Sequence, residues 1–174
     1  MPRGSKDTVT LFQLLGLTGT VTVDNRAAVN MLTEMGVRAK DVRKVSTRVR
    51  KIYRRAEKQR FDTRGPGWAP LAQSTIERKA RGNMDPRILR ARGDLYDSLV
   101  KSRAENQVNV KRPDSFRFGT SVPYARYHEY AKKMSGPGHV PTRELVGLSE
   151  HDLHDIAGVL GEFIVLGQYA ESEV

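Results

Sequence analysis

The stretch from Trp68 to Leu99 constrains the fold of this chain more than any other, because helix breakers and helix formers alternate along it. Trp68 is the only tryptophan, and it directly follows the breaker run 64–67, Arg-Gly-Pro-Gly. Pro70 fixes its own φ and biases the preceding residue toward extended geometry. The chain is therefore expected to enter this stretch through a turn that is led by the tryptophan.

Two short helices are predicted after that turn. Residues 73–79 are typical of a helix that begins at a serine or threonine cap and ends at Gly82. A second helix is predicted after Gly93, because Leu95, Tyr96 and Leu99 then recur at one-turn spacing. From the residues alone, this order predicts a helix–loop–helix unit packed on a core.

The composition limits the class of protein. The 174 residues are enough for one domain with a sizeable core, and 38% hydrophobic with 29% charged residues is typical of a globular chain. No apolar run approaches the roughly 20 residues of a membrane span, and the N-terminus lacks a signal-peptide pattern. Cysteine is absent, which excludes disulfides, thiolate chemistry and zinc sites built on cysteine.

The net charge of +10 indicates a polyanionic partner, and the charge is concentrated in one predicted helix from Ala39 to Phe61. A narrow apolar seam is expected at Val42, Val45, Val49, Ile52 and Ala56. The other faces are basic, and the residues predicted to face a polyanion are Arg43, Arg50, Arg54 and Lys58. The alternative is a solvated helix surface. A contact with DNA here would use phosphates without reading sequence.

The remaining pattern predicts an α+β domain over residues 21–166, with a flexible N-terminal arm at 1–20 and a flexible, acidic C-terminal tail at 167–174. Its elements are the long basic helix, short helices, a small antiparallel sheet with a β-hairpin, and a C-terminal helix. A short strand at 20–24 is followed by a helix that is capped by Asp24 or Asn25 and stops at Gly36. The core side of that helix is predicted to carry Ala28, Met31, Leu32 and Met35.

The second half of the chain supplies the hairpin and the last helix. Alternation at 107–111 and 115–120 around a Pro-Asp turn predicts the hairpin. Tyrosines 124, 127 and 130 recur at a spacing of three, so they are expected to share a face that can pack on this hairpin. A C-terminal helix is predicted from Ser149 or Glu150, with its apolar side at Leu153, Ile156, Ala157, Leu160, Phe163 and Ile164.

Catalytic and metal-binding sets are hard to assemble from this sequence. His151 and His154 could share a helix face with two aspartates, but no further ligand set is evident, so a solvent-facing polar side is favoured. His128 and Glu129, beside Tyr127, could form an acid–base pair. The common phosphate-loop, nucleophile-elbow and dinucleotide motifs are absent. We therefore expect no enzyme activity, no cofactor and no metal.

Three segments in order resemble the bacteriophage virion morphogenesis family, the Mu-like tail completion proteins. The first runs from Trp68 and Pro70-Leu71 to the pattern Ile-Leu-x-x-x-Gly-x-Leu-x-x-Ser-Leu at 88–99. The second, at 118–130, is similar to the family's GTxVxYAxxHExG segment. The third, Pro-Thr-Arg-Glu-Leu-Val-Gly-Leu-Ser at 141–149, is similar to its PxRxxxGLS segment.

This resemblance implies a structural protein of a tailed phage, located in the virion at the head–tail junction and in the host cytoplasm during assembly. It implies a structural and not a catalytic role for His128 and Glu129. It implies a homo-oligomeric ring between a head connector or head closure protein and a tail terminator or tail tube protein, with double-stranded DNA passing through. Ring contacts are expected in the N-terminal arm and in loops 62–70 and 132–143. The residues expected to serve them are Trp68, Pro70, Tyr124, Tyr127 and Arg143.

A rival interpretation is a stand-alone, sequence-nonspecific nucleic-acid-binding protein that uses the same basic helix. Such a protein would bind duplex DNA tightly by itself, with an affinity that falls steeply as salt rises. A junction protein would bind DNA weakly and would act through its protein partners.

Overall fold

A computed structural model of the chain describes the backbone of residues 6–14 and 17–23 and all atoms of residues 24–129 and 141–168. These ranges contain six α-helices and two two-stranded antiparallel sheets. The predicted α+β class is confirmed. Residues 130–140, which include Tyr130 and most of the predicted contact loop 132–143, lie outside the described residues.

The first sheet is a hairpin at the N-terminal end. Strand β1 (Lys6–Leu14) pairs with β2 (Leu17–Asp24) so that Lys6 lies opposite Asp24, with an irregularity between Thr10 and Gln13. The predicted strand at 20–24 is thus confirmed, and it begins three residues earlier. Most of the predicted arm 1–20 has paired backbone, and its contact with a neighbouring subunit stays a prediction.

Helix α1 (Arg26–Lys40) continues past Gly36, so the stop predicted there is wrong. The helix ends because the backbone of Asp41 is extended and its carboxylate accepts a hydrogen bond of 3.1 Å from the backbone N–H of Arg43. Such local bonds compete with helical ones. The long basic helix predicted from Ala39 is therefore interrupted, and a 3₁₀ turn at Arg43–Val45 precedes α2 (Ser46–Asp62).

The prediction that one side of α1 packs in the core is also wrong, because no residue of this helix is buried. Leu32 is 66% exposed. Helix α1 is held at its C-terminal end, where the Arg38 guanidinium donates 2.6 and 3.0 Å hydrogen bonds to the carbonyls of Ile164 and Val165. These carbonyls lie in the last turn of the C-terminal helix, where they would otherwise lack hydrogen-bond donors. The apolar side of α1 is left uncovered by the described residues.

Helix α2 lies between two hydrophobic clusters, and its predicted seam is confirmed at four of five positions by burial. One cluster joins the seam to the last helix and contains Val42, Val45, Val49, Val159 and Phe163. The other joins the end of α2 to the middle of the chain and contains Tyr53, Phe61, Trp68, Leu95, Leu99, Val122, Ala125 and Leu145. Ala56 is buried too, and Ile52 is partly buried.

The two short helices follow the prediction closely. Helix α3 (Gln73–Arg81) ends at Gly82, and α4 (Asp94–Val100) begins after Gly93. Gly93 has a φ of 94°, a left-handed conformation that glycine adopts without a steric penalty. The predicted cap of α3 is wrong, because Ala72 occupies the N-cap and no side chain caps the helix.

The second sheet pairs β3 (Gln107–Lys111) with β4 (Phe116–Thr120), as predicted, and α5 (Ala125–Glu129) follows it. The sheet rests on α4, where the hydroxyls of Ser98 and Thr120 are 2.7 Å apart. Tyr124 and Tyr127 do not pack on this hairpin, and both are exposed. Tyr53 of α2 packs on the hairpin instead, with its ring centroid 5.5 Å from that of Phe118 in β4.

Helix α6 (Glu150–Leu166) begins at Glu150, one of the two predicted starts, and Ser149 is its N-cap. Ser149 and Asp152 form a capping box, in which each side chain accepts a hydrogen bond from the other residue's backbone N–H. Val159 and Phe163 are buried, whereas Leu153 and Ala157 are exposed, which corrects the predicted apolar side. The buried face is narrower than predicted, and α6 contacts α2, α1 and the 3₁₀ turn at Arg43–Val45.

Candidate interaction surface

The four residues predicted to face a polyanion divide into two pairs. Arg50 donates to the carbonyl of Ser102 and, at 2.7 Å, to the side-chain oxygen of Gln107. Arg54 donates at 2.7 Å to the carbonyl of Val100. Both side chains therefore donate to backbone carbonyls at the end of α4 or just after it. Burial and the nearby charge of Arg50 lower the pKa of Arg54.

Arg43 and Lys58 remain on the surface. The Arg43 guanidinium pairs with Asp41 at 2.5 Å, and its hydrogen bonds lower the pKa of the Asp41 carboxyl to about 2. Lys58 pairs with Asp62 at 2.7 Å, one turn along α2. Exposed ion pairs contribute at most about 1 kcal/mol, so either cation can exchange its partner for a phosphate or another carboxylate. That these residues face a polyanion stays a prediction.

Part of the counter-charge that α2 requires comes from α6. Arg55 pairs with Asp152 at 3.3 Å and with Asp155 at 2.7 Å, and Arg48 pairs with Glu162 at 2.9 Å. The hydrogen bond from Arg55 lowers the pKa of Asp155. The acidic side of α6 thus covers one basic side of α2.

Trp68 and Arg143 act as anchors inside the chain. The Trp68 indole N–H donates at 3.1 Å to the carbonyl of Glu144, and its ring meets Phe61 edge-on at 5.4 Å. Arg143 donates at 3.0 Å to the carbonyl of Ala69. Both side chains are buried. Together they hold segment 141–149 against the turn that follows α2, so any part in a ring contact would be indirect.

His128 and Glu129 hold the same segment from the other side. The Glu129 carboxylate accepts a 2.7 Å hydrogen bond from the backbone N–H of Leu145. The backbone carbonyl of His128 accepts one of 2.9 Å from the N–H of Arg143. Burial, and then the charge of Arg143, lowers the pKa of His128. These contacts are structural.

Pro70 and Tyr124 lie on the rim of a groove of about 870 Å³ between α3, α5 and segment 141–143. This groove, here called the α3 groove, has Arg78, Lys79 and Arg143 in its wall. Lys79 is buried and donates to the carbonyls of Asp85 and Arg87 at 2.9 and 2.6 Å. The structure thus brings Pro70, Tyr124 and Arg143 together, whereas Tyr127 is exposed outside the groove wall.

Several buried charged residues were missed by sequence reasoning. Arg90 pairs with Asp62 at 2.6 Å and lies 3.9 Å from the ring centroid of Tyr96. Glu57 is fully buried, and its carboxylate accepts a 3.2 Å hydrogen bond from the N–H of Gly147. In the sequence, the one indication that Glu57 could be buried was its position directly after Ala56, next to the apolar seam. The residues around Arg90 and Lys79 in the sequence gave no indication that these two side chains are buried.

His151 and His154 are exposed, as expected for the polar side of α6. In the part of the chain that the structure describes, no three histidine or acidic side chains are grouped as metal ligands would be. Among those same residues, no helix is both long and apolar enough to cross a membrane.

Comparison with known proteins identifies one family. The model of the phage virion morphogenesis family matches residues 23–164, which span α1 to α5, both clusters and nearly all of α6. No curated protein and no solved structure matches the chain. The match supports a structural or assembly role in a phage and gives no support to the stand-alone nucleic-acid-binding alternative. The chain belongs to the phage virion morphogenesis family.

Proposed function

We propose that the chain is a structural virion protein of a tailed phage that forms a ring at the head–tail junction and joins the head connector to the tail. The observation that carries this proposal is the family match over residues 23–164, which includes both hydrophobic clusters. The three segments that resemble tail completion proteins all lie inside this match. A role of this kind requires geometry and contacts, and no chemistry.

The exposed apolar side of α1 supports self-assembly. Met31 is 50% and Leu32 66% exposed, although they lie on one face of an amphipathic helix. Exposed apolar surface of this kind marks protein contacts. A contact between this face and a different surface of the next copy is heterologous. Such contacts close into a ring when the rotation that relates one copy to the next completes a full turn after a whole number of copies.

The proposed neighbours lie above and below this ring. On one side is the head connector or head closure protein, and on the other is the tail terminator or tail tube protein. The exposed cations Arg43, in the 3₁₀ turn before α2, and Lys58, on α2, would meet an acidic neighbour or the phosphates of DNA in the channel. The finished protein would be in the virion, after assembly in the host cytoplasm.

Electron cryomicroscopy of the intact particle tests this location. We expect a ring of density at the head–tail junction into which the pair of helices α2 and α6 fits. A particle whose complete junction is built from other chains would contradict the proposal. The same map would show whether α2 faces the channel.

A charge placed on the apolar face of α1 is expected to block assembly without unfolding the chain. Leu32→Glu should reduce incorporation into particles at least about 10-fold, because a carboxylate in an apolar contact must lose its hydration. The measurement is the amount of this chain in purified particles, beside thermal unfolding of the isolated variant. Asn30→Glu is the matched control, since Asn30 is exposed on the opposite side of α1. Equal incorporation of both variants would exclude this face as a contact.

A further inference from the structure

The α3 groove is lined by cations and by no carboxylate among the described residues. Arg78, Lys79 and Arg143 contribute positive charge, and His128 lies beside them. None of the three cations forms an ion pair within residues 24–129 and 141–168. Segment 130–140, which joins two parts of the wall, contains no aspartate or glutamate. Among the described residues, the groove wall therefore supplies no ion pair to these cations, and the nearby charge of Asp85 reaches Lys79 from outside the wall.

Burial makes this lack of a counter-ion costly. Arg143 is 4% and Lys79 6% exposed, and Nε of Arg143 is buried without a hydrogen-bond partner. Burial lowers the pKa of both groups. The charge of Asp85 opposes this shift at Lys79, and the charges of Arg143 and Arg78 add to it. A buried cation normally has an anionic partner. An anion bound in the groove would supply one.

The shape of the groove favours a peptide segment over a DNA duplex. The site is concave, and its rim carries the apolar side chains of Leu71, Leu89 and Tyr124. Pockets of this size and mixed lining suit a few side chains of a polypeptide. Duplex phosphates are met by exposed cations and leave an apolar rim unused.

The charge distribution of the chain identifies an occupant. No lysine or arginine follows Arg143, whereas the acidic residues after Ser149 are Glu150, Asp152, Asp155, Glu162, Glu171 and Glu173. Asp152 and Asp155 pair with Arg55, and Glu162 pairs with Arg48. Glu171 and Glu173 are two positions apart in the sequence, and Tyr169 comes two positions before Glu171. This segment therefore combines two carboxylates with an aromatic ring.

We propose that the α3 groove binds the acidic segment 167–174 of a second copy of this chain. The carboxylates of Glu171 and Glu173 meet the cations of the groove, and Tyr169 meets its apolar rim. This contact joins two different surfaces, which is the heterologous kind that a ring requires. The inference rests on the self-assembly in the proposed function, and it names the contact that the assembly uses.

The test is the binding of a fluorescent peptide of sequence GQYAESEV, residues 167–174, measured by anisotropy at low salt. The peptide is added to the full chain carrying Glu171→Gln and Glu173→Gln, here called the receiver. These substitutions keep the receiver's own segment 167–174 from competing with the peptide. We expect the peptide GQYAQSQV to bind at least about 10-fold more weakly. Arg78→Gln in the receiver should weaken binding of the acidic peptide about 10-fold. Arg81→Gln should change it less than about twofold, because Arg81 is exposed on α3 outside the groove wall.

Three results would overturn the inference. They are equal binding of the two peptides, equal losses in the two arginine variants, and a preference for a DNA duplex that Arg78→Gln abolishes. The last result would assign the groove to phosphates. A junction ring seen in particles without peptide binding would defeat this contact alone. Peptide binding by a chain that is absent from the junction would defeat the proposed function alone.

Discussion

Replacing Trp68 with alanine is expected to lower the free energy of unfolding by about 3–5 kcal/mol, the range for removal of a buried aromatic side chain. Trp68 is 7% exposed, packs edge-on against Phe61 and donates its indole N–H to the carbonyl of Glu144. The variant loses the ring and leaves that carbonyl without this donor. Urea unfolding, followed by circular dichroism, measures the change.

Two further variants test this account, one that separates the ring from its hydrogen bond and one that removes an exposed aromatic side chain. Trp68→Phe keeps an aromatic ring and loses the donor, so it should cost less than alanine. Tyr127→Ala removes an exposed aromatic side chain and should stay within about 0.5 kcal/mol of the parent chain. If Trp68→Ala cost no more than Tyr127→Ala, the anchoring role of the indole would be wrong.

The turn that presents Trp68 depends on Gly65. This glycine has a φ of 66°, and a Cβ atom there would lie 2.2 Å from the indole ring. The breaker run before Trp68 was visible in the sequence, but the reason for a glycine at this position was not. The indole packs back over the turn that precedes it, and only the folded chain shows that contact.

Local patterns predicted the elements whose determinants are local. The hairpin of β3 and β4, the end of α3 at Gly82 and the start of α4 after Gly93 follow from turn residues and one-turn spacing. The start of α6 was predicted at Ser149 or Glu150, and its determinant is local too, since the cap joins Ser149 to Asp152 three residues later. The seam of α2 was also predicted, because its apolar spacing is regular over four turns.

The failures involve partners that are distant in sequence. Periodicity showed that α1 has an apolar face, but it could not show that the described chain leaves the face uncovered. Arg50 and Arg54 were predicted as surface cations because nothing local reveals the carbonyls of Ser102 and Val100 that accept their hydrogen bonds. The α3 groove was suggested only by isolated rim residues such as Pro70 and Tyr124. Its cationic wall is assembled from α3 and segment 141–143.

Replacing Glu57 with glutamine is expected to remove a pH dependence of stability. Glu57 is fully buried between α2 and segment 141–149, and burial raises the pKa of its carboxyl from 4.5 to about 7. The N–H of Gly147 and the charge of Arg60 oppose this rise, while Glu129 and Asp152 add to it. The folded chain therefore holds a proton on Glu57 at pH values where the unfolded chain has lost it.

The sign of the effect follows from proton linkage. The pKa of Glu57 is higher in the folded chain than in the unfolded chain. Its contribution to the free energy of unfolding is therefore complete below about pH 4.5, decreases as the pH rises to about 7 and does not change further at higher pH. The shift from 4.5 to about 7 corresponds to about 3 kcal/mol at 1.36 kcal/mol per unit. Glutamine resembles the protonated acid and can keep the bond from Gly147, so Glu57→Gln should equal the parent chain near pH 4.5 and exceed it by about 2–3 kcal/mol at pH 8.

Urea unfolding of both chains at intervals from pH 4.5 to pH 8 measures the difference. Burial lowers the pKa of His128, so that group works in the opposite direction and removes stability as the pH falls below about 6.5. It does so equally in both chains, and the difference between the chains isolates Glu57. Glu105→Gln, at an exposed glutamate, is the matched control and should give a profile parallel to that of the parent chain. A parallel profile for Glu57→Gln as well would mean that Glu57 is ionised in the folded protein, with its charge compensated by Arg60.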